Sequence, residues 1–198
     1  MRLANLAGRP HLITDTGAVD VAHASGGRFD PDPQKIYAEW AGFRAWADGA
    51  ALPEGRSYDR GELDSPVPAP SQLVAFGLNY RGHAAETGLA VPEGLPPVFT
   101  KFASSLTGPC TTVRLPKGNV DWEIELAVVI GATASHVTEA AAWEHIAGWT
   151  VAQDLSERVL QMSGPARSSA SASHTPVSPR SAPGSSPPTS CPTPPPCD

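Results

Sequence analysis

Asp121-Trp122-Glu123-Ile124-Glu125-Leu126-Ala127-Val128-Val129-Ile130-Gly131 is the stretch whose reading decides the fold. Polar and apolar residues alternate as far as Leu126, and the run then turns apolar. A period of two is that of a β-strand. Side chains at i and i+2 of a strand share a face. Trp122, Ile124, Leu126, Val128 and Ile130 therefore point one way, and Glu123 and Glu125 the other. Two carboxylates that close raise each other's pKa unless a cation or a donor sits between them. Oxygen ligands on a rigid strand suit a hard divalent cation such as Mg²⁺. A half-buried strand with a wet glutamate face accounts for the same pattern, so this segment alone leaves both readings open.

The rest of the chain narrows the class. Its 198 residues suffice for one domain with a sizeable core. A net charge of −6 argues against nucleic-acid binding. No apolar run approaches the length of a membrane span. The opening residues, Met1 to Gly8, lack the apolar core of a secretory signal, and the expected compartment is cytoplasmic. Cys110, Cys191 and Cys197 show no zinc-ligand spacing.

Three parts are expected: residues 1–64, 65–162 and 163–198. In the first, Arg2 to Leu6, His11 to Thr14 and Ala18 to Val21 read as short strands. Turn residues separate them, Gly8-Arg9-Pro10 and Asp15-Thr16-Gly17. A helix follows, with Asp32 as cap and Pro33 at its first position. Ile36, Trp40, Phe43 and Ala47 form its apolar stripe, which reads as packing. In the second part, Leu73 to Leu78, Val98 to Phe102 and Gly148 to Gln153 read as strands, the last ending at Asp154. Thr138 can cap a helix running through Ile146. Asp154 is placed either as a functional side chain at a strand end or as a helix cap for Leu155 to Gln161. His83 and Glu86, three apart on a predicted helix, share a face. A carboxylate so placed can tune an imidazole as a general base, although a solvated surface pair has the same spacing. Lys101 taken alone reads as a surface charge.

The third part is nearly all Ser, Pro, Ala and Thr, with a lone Val177 and no larger apolar side chain. Such a segment cannot bury enough apolar surface to offset its ordering entropy, so it is expected to be disordered and free of sheet. A proline-rich ligand for a partner domain is the functional alternative, but a basic-flanked motif is missing.

Taken together, the second part resembles the fumarylacetoacetate hydrolase family. The matching pieces are Gly77-Leu78-Asn79-Tyr80-Arg81-Gly82-His83-Ala84-Ala85-Glu86, Phe99-Thr100-Lys101-Phe102, Asp121 to Leu126, and Gln153-Asp154-Leu155-Ser156-Glu157-Arg158-Val159-Leu160-Gln161. The resemblance implies an α+β fold, mostly β. Here it would be an incomplete roll of the fumarylacetoacetate hydrolase type with a small N-terminal domain. It implies Mg²⁺ or Mn²⁺ held by Glu123, Glu125 and Asp154. His83 and Glu86 match a dyad that activates water or moves protons, and Gln161 matches a substrate-contacting glutamine. Lys101 is a weaker candidate for the same wall. The implied substrates are small 2-oxo or 1,3-dioxo acids, which are hydrolysed, decarboxylated or isomerised, and the implied assembly of an intact member is a homodimer. Metal coordination then accounts for the paired glutamates.

The family continues after the position of Gln161 with a Gly-Lys-Ser segment and then Phe-x-Pro-x-Gly-Pro, which this chain lacks. Codons built from the third base of one residue and the first two of the next change the picture. Arg167 through Pro183 then permit Gln-Phe-Ser-Leu-Gly-Lys-Ser-His-Thr-Gly-Phe-Ala-Pro-Ile-Gly-Pro. A frameshift near Gly164 to Arg167 is therefore expected. It would leave the N-terminal part of an enzyme followed by an out-of-frame tail, and a catalytically inactive remnant is the alternative function.

Overall fold

Antiparallel pairings organise the chain in the computed structural model, which describes residues 1–88, 90–163 and the backbone of Ser178–Arg180. The described fold is α+β, mostly strands. Strands β1 (Leu3–Leu6), β2 (Arg9–Ile13), β3 (Ala18–Asp20) and β4 (Leu63–Asp64) form one sheet in the order β3-β2-β1-β4. Ala7 and Gly8, both at positive φ, make the two-residue turn that matches the right-handed strand twist. Arg9 and Pro10 therefore belong to β2 and not to the turn.

Asp20 ends β3 and caps the short helix α1 (Val21–Ala24), its side chain accepting from the His23 amide. The predicted helix after Pro33 starts as a 3₁₀ segment, Lys35–Glu39, and becomes α-helical as α2 (Trp40–Gly49). The Asp32 side chain accepts from the Gln34 amide at 2.9 Å. Ile36, Trp40 and Phe43 join Leu12, Val21 and Phe29 in the main core, with Ala47 packed against it. The apolar stripe thus serves packing.

Beyond residue 64 the chain extends. Strands β5 (Leu73–Phe76) and β6 (Val98–Lys101) pair antiparallel, and α3 (Arg81–Thr87) lies between them in sequence. Strands β7 (Val120–Ile130) and β8 (Ile146–Glu157) form a long antiparallel ribbon. Thr138 caps α4 (Glu139–Ala142), but the chain turns extended at Ile146, which opens β8. The base of the ribbon meets the N-terminal core: a side chain at Gly131 would collide with Trp40 and Ala147.

Strand β8 continues past Gln153, so Asp154 is internal to the strand and not at its end. Leu155, Ser156 and Glu157 keep the extended pairing, opposite Trp122, Asp121 and Val120. The cap of the following helix, α5 (Arg158–Met162), is Glu157 and not Asp154. Its carboxylate accepts from the Val159 and Leu160 amides and from the Asn119 amide. Those bonds hold the Glu157 carboxyl below its ordinary range, the Leu160 amide contributing most.

The expectation of disorder after Ser163 falls mainly outside the described residues. The expectation of no sheet there is corrected at one place. The backbone of β9 (Ser178–Arg180) pairs antiparallel with Val151 to Gln153 of β8. A sheet edge offers unpaired backbone groups that an extended segment can fill without apolar side chains.

Burial on β7 runs opposite to the wet-glutamate reading. Glu123 and Glu125 lie on the half-buried face, and Trp122, Ile124, Leu126, Val128 and Ile130 are all exposed. Alternation defines two faces and does not say which one is covered.

Candidate metal centre

Register places the acidic residues together. Glu123 on β7 is the direct partner of Asp154 on β8, so both side chains stand on the same face, and Glu125 follows two residues along. Burial lifts the Glu125 carboxyl above its ordinary range, with Glu123 and then Asp154 adding to the effect, partly offset by His83 and Lys101. That mutual influence is the electrostatic signature of a shared carboxylate cluster.

Lys101, Arg158 and the His83 imidazole surround the cluster. Lys101, at the end of β6, brings its Nζ to 2.6 Å from Asp154 Oδ2, and both side chains are deeply shielded. Arg158, the first residue of α5, contacts Glu123 Oε1 and also reaches Asp121 Oδ2, at 2.8 Å through Nη2. The same guanidinium donates to Gln161 Oε1 at 2.9 Å through Nη1. His83 Nε2 lies 3.6 Å from Glu123 Oε2. Leu78, at φ 54, forms part of the turn that leads from β5 into α3, the helix of His83. A leucine at positive φ is strained, and such strain persists where surrounding structure fixes the chain.

Among the described residues, no three His, Cys, Asp or Glu side chains are yet close enough to hold a metal. The donor set nevertheless fits one. Asp154 Oδ1 is buried with no hydrogen-bond donor, and all three candidates offer hard carboxylate oxygen. Lys101 and Arg158 supply the positive charge that a divalent cation would otherwise bring.

The family model described as fumarylacetoacetate (FAA) hydrolase C-terminal matches residues 72–192, more than half of the chain. The chain belongs to the fumarylacetoacetate hydrolase family. Human mitochondrial oxaloacetate tautomerase FAHD2A is 47% identical over 100 residues, which are 50% of this chain and 32% of that protein. A Burkholderia lata protein provisionally named a hydrolase is 50% identical over 93 residues, 46% of this chain and 33% of its own. The chain thus spans about a third of these curated relatives. Among solved structures, a Mycobacterium smegmatis protein provisionally named HpcE matches with a TM-score of 0.84 and 52% identity, covering 90% of this chain and 64% of that one. Maleylpyruvate hydrolase from Sphingobium sp. SYK-6, crystallised with manganese(II) and pyruvate, matches with a TM-score of 0.59 and 27% identity. That match covers 80% of this chain and 60% of the hydrolase.

Against this fumarylacetoacetate hydrolase background, the structure sorts the expected site residues. Glu123, Glu125 and Asp154 share a face, and Lys101 joins them as a buried partner of Asp154, not as a surface charge. Gln161 reaches the cluster through Arg158. Glu86 is exposed on α3, and Glu123 Oε2 lies 3.6 Å from the His83 imidazole. Arg158 and Asp121 were not among the candidates. Their signal was present: Asp121 continues the i, i+2 row of Glu123 and Glu125, and Arg158 precedes Gln161 by one helical turn. No helix among the described residues is long and apolar enough to cross a membrane.

Proposed function

We propose that the chain carries the metal-binding half of an enzyme acting on a small 2-oxo or 1,3-dioxo acid by C–C hydrolysis, decarboxylation or isomerisation. The observation that carries this reading is the carboxylate face of Glu123, Glu125 and Asp154, compensated by Lys101 and Arg158, with the His83 imidazole beside it. The Sphingobium relative crystallised with manganese(II) and pyruvate supports a divalent cation and a 2-oxo acid as the pair of ligands. The tautomerase relative supports proton transfer next to a ketone as the elementary step.

Glu123, Glu125 and Asp154 would hold Mg²⁺ or Mn²⁺. When bound, such a cation supplies Lewis-acid polarisation of the substrate's oxygens. The chain's own residues supply the rest. His83, half-exposed at the rim and 3.6 Å from Glu123, exchanges a proton with the carbon next to the ketone or with water. Glu86, on the same helix, joins it when the helix closes over substrate. Gln161 and the Arg158 guanidinium, released from Glu123, present donors to the substrate carboxylate.

Calorimetric titration with Mg²⁺ and Mn²⁺ tests the reading. Binding to the full chain should be lost in Glu123→Gln, Glu125→Gln and Asp154→Asn. Oxaloacetate enol–keto conversion, oxaloacetate decarboxylation and acylpyruvate hydrolysis, assayed side by side, separate the reactions. A second reading, a non-catalytic remnant of such an enzyme, is favoured by the exposed apolar row of β7. It predicts cation binding with no turnover in any of the three assays.

A further inference from the structure

We propose that Arg158 is a built-in counter-ion of Glu123 that a divalent cation displaces, with Asp121 as the carboxylate that keeps the guanidinium after release. The inference rests on the reading of Glu123 as a metal ligand.

The guanidinium is shared unevenly. Its Nε and Nη2 both address Asp121 Oδ2, at 3.1 and 2.8 Å. Nη2 is also the atom in contact with Glu123 Oε1. Nη1 is held by Gln161 Oε1. A planar fork with five N–H donors can lose one acceptor and stay oriented by the other two. Release of Glu123 therefore strands no charge, because two N–H groups remain on Asp121 and a third on Gln161.

Exposure sets the direction of the exchange. The Glu123 side chain is 21% exposed, Arg158 32% and Asp121 52%. The guanidinium bridges from the shielded carboxylate to a wetter one, so moving wholly onto Asp121 takes it towards solvent. Asp121 is already committed to the guanidinium, which holds its Oδ2 through both Nε and Nη2.

Lys101 differs. Its ammonium is shielded with Asp154, and among the described residues no second carboxylate lies within ion-pair distance of it. Among the described residues, the arginine pair on Glu123 has a ready alternative partner in Asp121, and the lysine pair on Asp154 has none of the kind. Towards the cation, Arg158 thereby acts through Glu123 and adjusts how tightly it binds.

The experiment is Mn²⁺ titration of the full chain without substrate, at mildly alkaline pH, by calorimetry and by the electron paramagnetic resonance of free Mn²⁺. Arg158→Gln should bind Mn²⁺ on the order of tenfold tighter than the wild type, since a competing charge is gone. Arg158→Lys, which keeps the charge, should stay near wild type. Asp121→Asn should weaken binding, and that weakening should vanish in the Arg158→Gln background. A purely structural Arg158 would give the opposite sign, because loosening α5 disorders the site. Equal or weaker binding by Arg158→Gln overturns the proposal, as does an Asp121→Asn effect of the same size in both backgrounds. Should Arg158→Gln fail to fold, the wild type decides: the Arg158 Nη–H resonances must shift along an Mg²⁺ titration with the binding midpoint, and unmoved resonances overturn the proposal. Binding of Mn²⁺ by Arg158→Gln alone supports it. Binding by neither chain sinks the metal reading itself, and this inference with it.

Discussion

Lys101 Nζ lies 2.6 Å from Asp154 Oδ2, with the two side chains only 10% and 9% exposed. The contact is an ion pair without an aligned hydrogen bond at the ammonium. Removing one member of a buried pair strands the charge of the other, at about 3–5 kcal/mol. Lys101→Met should therefore destabilise the metal-free chain by about 3 kcal/mol. Saturating Mg²⁺ should restore more stability to this variant than it adds to the wild type, because the cation then compensates Asp154. Denaturant melts with and without Mg²⁺ measure both quantities. Equal Mg²⁺ increments in the two proteins would show that pair and cation site are independent.

Glu125 is predicted to act in the opposite sense. Burial, then Glu123 and Asp154, raise its carboxyl above the ordinary value of 4.5. An acid whose folded pKa is raised favours the folded state only while protonated. Its stabilising contribution is present below the unfolded value and is lost as pH rises through the folded one. At neutral pH the ionised group is therefore a liability in the absence of metal. Glu125→Gln should raise the Tm by about 2 °C in chelator at neutral pH, a figure kept small because the group is only half-buried. The gain should fade towards acid pH, and the same variant should lose the Mg²⁺-induced rise in Tm. A variant less stable than wild type at neutral pH in chelator would contradict the assignment.

The acid limb of the stability curve should carry a second signature, far from the site. Glu62 accepts from Arg56 and from the Asp59 amide, which together depress its carboxyl from 4.5 to about 2. A depressed acid stabilises the fold above its unfolded pKa, and that contribution is lost as pH falls through the folded value. The wild type should therefore lose stability between pH 4.5 and about 2 more steeply than Glu62→Gln. Thermal melts across that window check the slope, and parallel curves would refute the prediction.

The strand of the paired glutamates was legible because alternation survives any context. Its covered face was not, because coverage depends on what packs against the ribbon and not on the strand itself. Asp154 looked terminal because Gln153 and Asp154 break the apolar run of Val151 and Ala152, yet backbone pairing with Trp122 and Asp121 carries β8 to Glu157. The residue types of the cluster came from the family motifs. Its wiring did not, because pairing of Lys101 with Asp154 joins β6 to β8 across 53 residues, a tertiary fact with no local signal. Arg158 was overlooked for a related reason: a basic residue one position after an acidic cap reads as a surface charge until the register of β7 brings Asp121 and Glu123 beneath it.

The apolar row of β7 supplies the last prediction. Trp122 is 65% exposed and Ile124 is 70% exposed, and Leu126, Val128 and Ile130 continue the same face. The strand also lies at the edge of its sheet, in the order β7-β8-β9. A long apolar row on an edge strand is a template for association. Its side chains contribute little to the folded monomer, because stabilisation scales with the area removed from water and these residues remain wet. Replacing Trp122 and Ile124 by threonine puts β-branched residues at both positions and so preserves the strand's local preference. The double variant should melt within about 2 °C of wild type, as expected for exposed positions. It should aggregate less on concentration and bind less of a dye specific for apolar surface. The carboxylate face lies on the other side of the ribbon, so Mg²⁺ affinity should be unchanged. A large loss of Tm would mean that the row is packed in solution, and unaltered aggregation would place the liability elsewhere on the chain.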